Sequence, residues 1–135
     1  MKGALRCIML IDDNVDDNFF HERAIKQAEV FDHIVSLNSA QAALAYLKDP
    51  QNPNYILPEV IFLDINMPGM DGWDFLDEFS KIDYIDISDI KIIMLSTSSR
   101  TEDIEKAKKN VFVDNYTIKP LNYDNLVDLI EEHFN

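Results

Sequence analysis

Apolar runs and polar breaks alternate regularly along this chain. Cys7-Ile8-Met9-Leu10-Ile11 stops at Asp12-Asp13, Val60-Ile61-Phe62-Leu63 stops at Asp64, and Tyr116-Thr117-Ile118 stops at Lys119-Pro120. Short, nearly continuous apolar runs read as strands buried on both faces, the pattern of a parallel sheet covered by helices. With the weaker runs included, strands are predicted near 5–12, 33–38, 59–64, 90–96 and 113–119. Between them the apolar spacing changes to three and four. A helix is predicted over about 15–29, after Asn14 as its N-cap. The next begins at Ser39 and carries Ala40, Ala43, Leu44 and Leu47 on one stripe. A third begins near Asp71 and turns Phe75, Leu76 and Phe79 toward the sheet. The fourth follows Thr101, with Glu102 and Asp103 in the first turn, where the helix dipole favours acids. The last runs from about Asn122, with Leu126, Leu129 and Ile130 at helical spacing. The segment 49–58 holds three prolines and reads as a surface loop. Strands alternating with helices predict an α/β fold, and 135 residues fit a single domain over 1–135, with no room for an output domain.

Charge narrows the possible partners. The formal net charge is −13, from 25 acidic and 12 basic residues. That balance argues against nucleic acid, whose phosphates need clustered Lys and Arg, and against an anionic membrane surface. A bound divalent cation would offset part of it. No signal peptide or membrane span is visible, and one cysteine, Cys7, excludes an internal disulfide. A cytoplasmic location is expected.

The chemistry lies where the apolar runs end. In open α/β sheets, functional groups gather outside the carboxyl ends of the strands. Asp12, Asp13, Asp64 and Lys119 are therefore expected to share one pocket. Mg²⁺ takes oxygen ligands, usually one or two carboxylates plus phosphate oxygens and water, and this set suits it. Asp64 leads into a tight loop, Ile65-Asn66-Met67-Pro68-Gly69-Met70-Asp71-Gly72, and a carboxylate there can act as a nucleophile toward a phosphoryl group. An ammonium at Lys119 can pair with Asp64 at rest and with phosphate afterwards. The hydroxyl of Ser96, at the end of the fourth strand, can hydrogen-bond a phosphate. Each feature alone has a plainer reading: the acids end strands and cap helices, Lys119 faces solvent, and Ser96 belongs to a polar turn. His21, His33 and His133 read as surface or partly buried structural residues, and Trp73 as core. Asp16 and Asp17 read as a solvated face. Phe19 and Phe20 are adjacent on one helix and cannot both face the sheet.

Taken together, Asp12-Asp13, Asp64 with Asn66-Met67-Pro68 and Met70-Asp71-Gly72, Ser96, Tyr116 and Lys119-Pro120 resemble the receiver domain of two-component response regulators, in order and interval, over essentially the whole chain. The resemblance implies a doubly wound, flavodoxin-like (CheY-like) sheet of order 2-1-3-4-5 with helices on both faces. It implies Asp64 as phosphoacceptor and Mg²⁺ held by Asp13 and Asp64, by Asp12 mainly through water, and by the Asn66 carbonyl. It also implies Lys119 on the phosphate and Ser96 with Tyr116 as a switch acting on the fourth helix, fifth strand and fifth helix. The implied partners are a histidine kinase or phosphotransfer protein and a downstream protein. The chain would be a monomer or weak homodimer, and not an enzyme beyond its own phosphorylation and dephosphorylation.

Two departures bear on the switch. The stretch before Tyr116 is Asn110-Val111-Phe112-Val113-Asp114-Asn115, where the family commonly has Gly-Ala, and Thr97 stands where Ala or Gly is common. Competing readings are a relay shuttle, a phosphate-independent binding module, and a small Mg²⁺-dependent phosphatase. Against the last, the residue two after Asp64 is Asn66, which cannot transfer a proton.

Overall fold

The computed structural model describes residues 5–83 and 85–134. Five parallel strands, β1 (Leu5–Ile11), β2 (Phe31–Leu37), β3 (Val60–Leu63), β4 (Lys91–Ser96) and β5 (Asn115–Ile118), form one sheet of order β2-β1-β3-β4-β5. Five helices, α1 (Val15–Ala28), α2 (Ala40–Leu47), α3 (Gly72–Phe79), α4 (Thr101–Lys109) and α5 (Tyr123–Phe134), connect and cover it. The expected fold class and strand order are present.

Period-two alternation divides the core into two layers. Met9, Ile11, Ile61, Leu63, Ile92 and Met94 face one side, where they meet Leu44 and Leu47 of α2 and Phe75 and Phe79 of α3. Their neighbours Ile8, Leu10, Val60, Phe62, Ile93 and Leu95 face the other side, where they meet Ile25 of α1 and Leu126 and Ile130 of α5. Every residue of β3 is buried, as a central parallel strand requires.

The boundaries follow local chemistry. Asn14 caps α1 by accepting from the Asp17 N–H, and Ser39 caps α2 by accepting from the Ala42 N–H. Asp71 and Asp74 close a reciprocal capping box on α3. β2 begins at Phe31, two residues before the expected start, because Asp32 and His33 lie exposed on an edge strand and break the apolar pattern. β5 is shorter than expected, since the Val113 N–H turns back to the Asn110 carbonyl. The 49–58 loop is pinned by Tyr46, whose hydroxyl donates to the Ile56 carbonyl and accepts from the Ile56 N–H, both at 2.7 Å.

Candidate functional site

The pocket is built by backbone ladders that each run one residue past a strand. The Asp12 N–H donates to the Leu37 carbonyl at 3.1 Å, the Asp64 N–H to the Ile11 carbonyl at 2.9 Å, and the Lys119 N–H to the Ser96 carbonyl at 2.8 Å. These bonds set Asp12, Asp64 and Lys119 side by side at the carboxyl edge of β1, β3 and β5. Carboxylate oxygens of Asp12, Asp13 and Asp64 lie within 4.8 Å of one another. Asp12 and Asp64 are buried and Asp13 is exposed. The Lys119–Pro120 peptide is cis.

Gly72 explains how the Asp64 loop holds its place. A Cβ there would stand 2.6 Å from the Asp64 carbonyl oxygen and 3.0 Å from the Ile65 Cα, so only glycine lets α3 start against this backbone. The Gly72 N–H then donates to the Ile65 carbonyl at 2.8 Å. Asn66 is exposed on the loop between them.

The Lys119 ammonium is shared. It donates to Asp12 at 2.5 Å and to Asp17 at 2.9 Å, and stands 3.5 Å from Asp64. Burial alone would pull its pKa down, but the hydrogen bonds to Asp12 and Asp17 and the charge of Asp64 outweigh that and raise it. Asp64 departs from an ordinary carboxyl. Burial first, then the Asp12 charge, push it up to about 6 against the pull of Lys119. Three carboxylates with one ammonium leave the pocket short of positive charge, and the donors are all hard oxygens. The residues present therefore fit a small divalent cation such as Mg²⁺ or Mn²⁺.

Ser96 is fully buried at the end of β4 and accepts from the Ser98 N–H at 3.1 Å. Tyr116 on β5 donates its hydroxyl to the Ser98 carbonyl at 2.8 Å, so both residues of the expected switch meet the same loop. Thr97 is exposed beside them.

Several side chains differ from the sequence reading. Asp17 is not part of a solvated face, because it binds Lys119. His21 is 2% exposed and lines the space behind Asp12 and Asp64, where burial lowers its pKa. Trp73 is only half-buried, with the Lys106 ammonium 4.6 Å above its ring. As expected, Phe19 and Phe20 do not both face the sheet; beyond that reading, both are exposed. Asn18 carries a role that the sequence reading missed. Its amide donates to the Asp12 carbonyl at 3.0 Å and bridges to Asn38 of the β2–α2 connection at 3.2 Å. Its polarity and its position four residues after Asn14 are the only signals of that role in the chain.

Among the described residues, no helix is long and apolar enough to cross a membrane. Comparison with known proteins agrees with this architecture. Residues 8–131 match the family model for the response regulator receiver domain. The chain is 30% identical over 125 residues to the probable methanogenesis regulatory protein FilR2 of Methanothrix harundinacea, covering 93% of this chain and 79% of that one. The crystal structure of a two-component response regulator from Cytophaga hutchinsonii superposes with a TM-score of 0.86 at 31% identity, covering 96% of this chain and 97% of that one. The Mn²⁺-bound form of the response regulator Rcp1, a Synechocystis protein, superposes with a TM-score of 0.71 at 26% identity, covering 93% and 89%. With a family-model match over residues 8–131 and superposition on response regulators across nearly its whole length, the chain belongs to the response regulator receiver domain family.

Proposed function

We propose that this protein takes a phosphoryl group onto Asp64 from the phosphohistidine of a kinase or phosphotransfer protein, in a reaction that uses Mg²⁺. The observation that carries the reading is the convergence of Asp12, Asp13, Asp64 and Lys119 on one edge of the sheet. In the transfer, an Asp64 Oδ attacks phosphorus, the P–N bond to the donor histidine breaks, and an acyl phosphate forms. Asp12, Asp13 and Asp64 would hold the metal, with the Asn66 carbonyl as a further ligand. Bound there, the cation neutralises phosphate charge and favours in-line attack. Lys119 stabilises the transferred oxygens, and Ser96 donates its hydroxyl to one of them. That Rcp1, a similar protein, has a Mn²⁺-bound form supports the same metal class here.

Output is a protein contact on α4, β5 and α5. A cavity of about 260 Å³ between α4 and β5, lined by Ile104, Ala107, Val113, Tyr116 and Ile118, offers an apolar seat there. Tyr116 joins that cavity to the Ser98 carbonyl, next to Ser96, so a movement of Ser96 toward phosphate reaches the docking face through one loop. Membership of the receiver domain family supports work in the cytoplasm. The test is intact mass after incubation with acetyl phosphate and MgCl₂. One phosphoryl unit is expected on the wild type and none on Asp64→Asn or in EDTA. Uptake by Asp64→Asn, or none by the wild type, refutes the assignment.

A further inference from the structure

We propose that Asp17 is a positioning residue that holds the Lys119 ammonium on the α1 side of the pocket at rest, and so sets how readily Asp64 takes metal and phosphate. The inference rests on Asp64 as the phosphoacceptor. It begins from how one cation is divided. Lys119 has three N–H donors, and two are taken, by Asp12 at 2.5 Å and Asp17 at 2.9 Å, while Asp64 stands at 3.5 Å. Asp17 alone of these three acids lies outside the metal-capable cluster. From outside that cluster it claims the ammonium that a phosphoryl group on Asp64 needs.

The backbone that carries the tether is held in place. The Asp17 backbone N–H is fixed by the Asn14 side chain at 3.1 Å, and the Asn14 N–H is fixed by Asp12 at 2.9 Å. Asp17 thus stands in the first turn of α1 at a set distance from the pocket floor. The Lys119 side chain is 9% exposed and that of Asp17 is 36% exposed, so water screens the pair only from one side. Two consequences follow. Lys119 is drawn off Asp64, leaving that carboxylate open to a dication. A phosphorylated Asp64 must also win the ammonium from Asp17, and the Asp17 charge opposes the incoming dianion. Neutralising Asp17 releases Lys119 toward Asp64. Metal then binds more weakly because it competes with the ammonium, and a phosphoryl donor reacts faster because the cation already faces it.

Asp16 supplies the control. It carries the same charge one residue away and is exposed, while Asp17 is the one that bonds Lys119. Asp17→Asn, Asp16→Asn and Asp17→Glu are compared in the full chain, since all three leave the Asn14 cap in place. MgCl₂ affinity is read by titration calorimetry, and phosphorylation by acetyl phosphate through intact mass. For Asp17→Asn, the Mg²⁺ dissociation constant is expected to rise about threefold or more and the phosphorylation rate about three- to fivefold. Asp16→Asn is expected to stay within about 1.5-fold of wild type on both, the size of a screened surface charge. Asp17→Glu restores most of the wild-type behaviour. If Asp17→Asn merely tracks Asp16→Asn, the positioning role is wrong. If the wild type takes no phosphoryl group while Asp17→Asn still weakens Mg²⁺ binding beyond Asp16→Asn, the phosphoacceptor reading fails and the tether stands.

Discussion

Asp64→Asn should make the metal-free protein more stable, and the gain should depend on pH in a defined way. Asp64 is held at about 6 instead of 3.8, first by burial and then by the Asp12 charge. A folded-state pKa above the unfolded one means that the native state holds the proton more tightly. Stability contributed by that proton is complete below the unfolded value and is lost as pH rises through the folded value. Above about pH 6 the native state carries a buried anion beside Asp12, at an upper estimate of roughly 3 kcal/mol. Water reaching the open side of the pocket reduces this to on the order of 1–2 kcal/mol. The Asp64→Asn substitution removes the charge and keeps the volume. Urea unfolding in EDTA, followed by Trp73 fluorescence, should show the variant more stable by that amount near pH 8. Near pH 5, between the two pKa values, roughly half of the gap should remain. Excess MgCl₂ should narrow the gap near pH 8, because a dication binding only the native state stabilises the wild type by mass action. A variant that is equally or less stable near pH 8, or a gap that does not change between these pH values, would refute the account of a charge-frustrated pocket.

Three further outcomes test neighbouring parts of the structure. Gly72→Ala places a methyl against the Asp64 carbonyl and Ile65 Cα, so urea unfolding should register a loss of about 2–3 kcal/mol and calorimetry a weakened affinity for Mg²⁺. Lys119→Met leaves Asp12 and Asp64 buried without their cation; a loss of about 3 kcal/mol is expected in EDTA, with excess MgCl₂ recovering most of it as the dication replaces the ammonium. Tyr46→Phe removes both bonds to Ile56 and should lower stability by about 1–2 kcal/mol while speeding amide exchange over 49–58 more than elsewhere.

The acidic pocket and the α4–β5 cavity are different parts of the molecule. Carboxylate oxygens in the pocket select a hard divalent cation. The α4–β5 cavity, lined by Ile104, Ala107, Val113, Tyr116 and Ile118, is distant in sequence from Asp12 and Asp13. Tyr116 lines that cavity and donates its hydroxyl to the Ser98 carbonyl, in the loop that follows Ser96.

Much of this protein can be read from its chain. Strands β1, β3 and β4 are written as apolar runs because both of their faces are covered, so their central residues are all apolar. Asp12, Asp64 and Lys119 are legible because each stands where such a run breaks, and the carboxyl edge of a parallel sheet brings such positions together. Asn14, Ser39 and Asp71 announce their helices by local capping, which needs only near neighbours. The roles of Asp17, Asn18 and His21 were decided elsewhere. On a linear reading, Asp16 and Asp17 are equivalent acids on a helix surface. Only the packing of α1 against α5, the helix that follows Lys119, brings that ammonium, 102 residues away, onto Asp17 and leaves Asp16 in water. His21 reads as an ordinary polar residue until the fold closes over it behind Asp12 and Asp64. Hydrophobic periodicity and capping act over a few residues and so survive in the sequence. The division of one buried ammonium among three carboxylates depends on distances that exist only after the sheet has assembled.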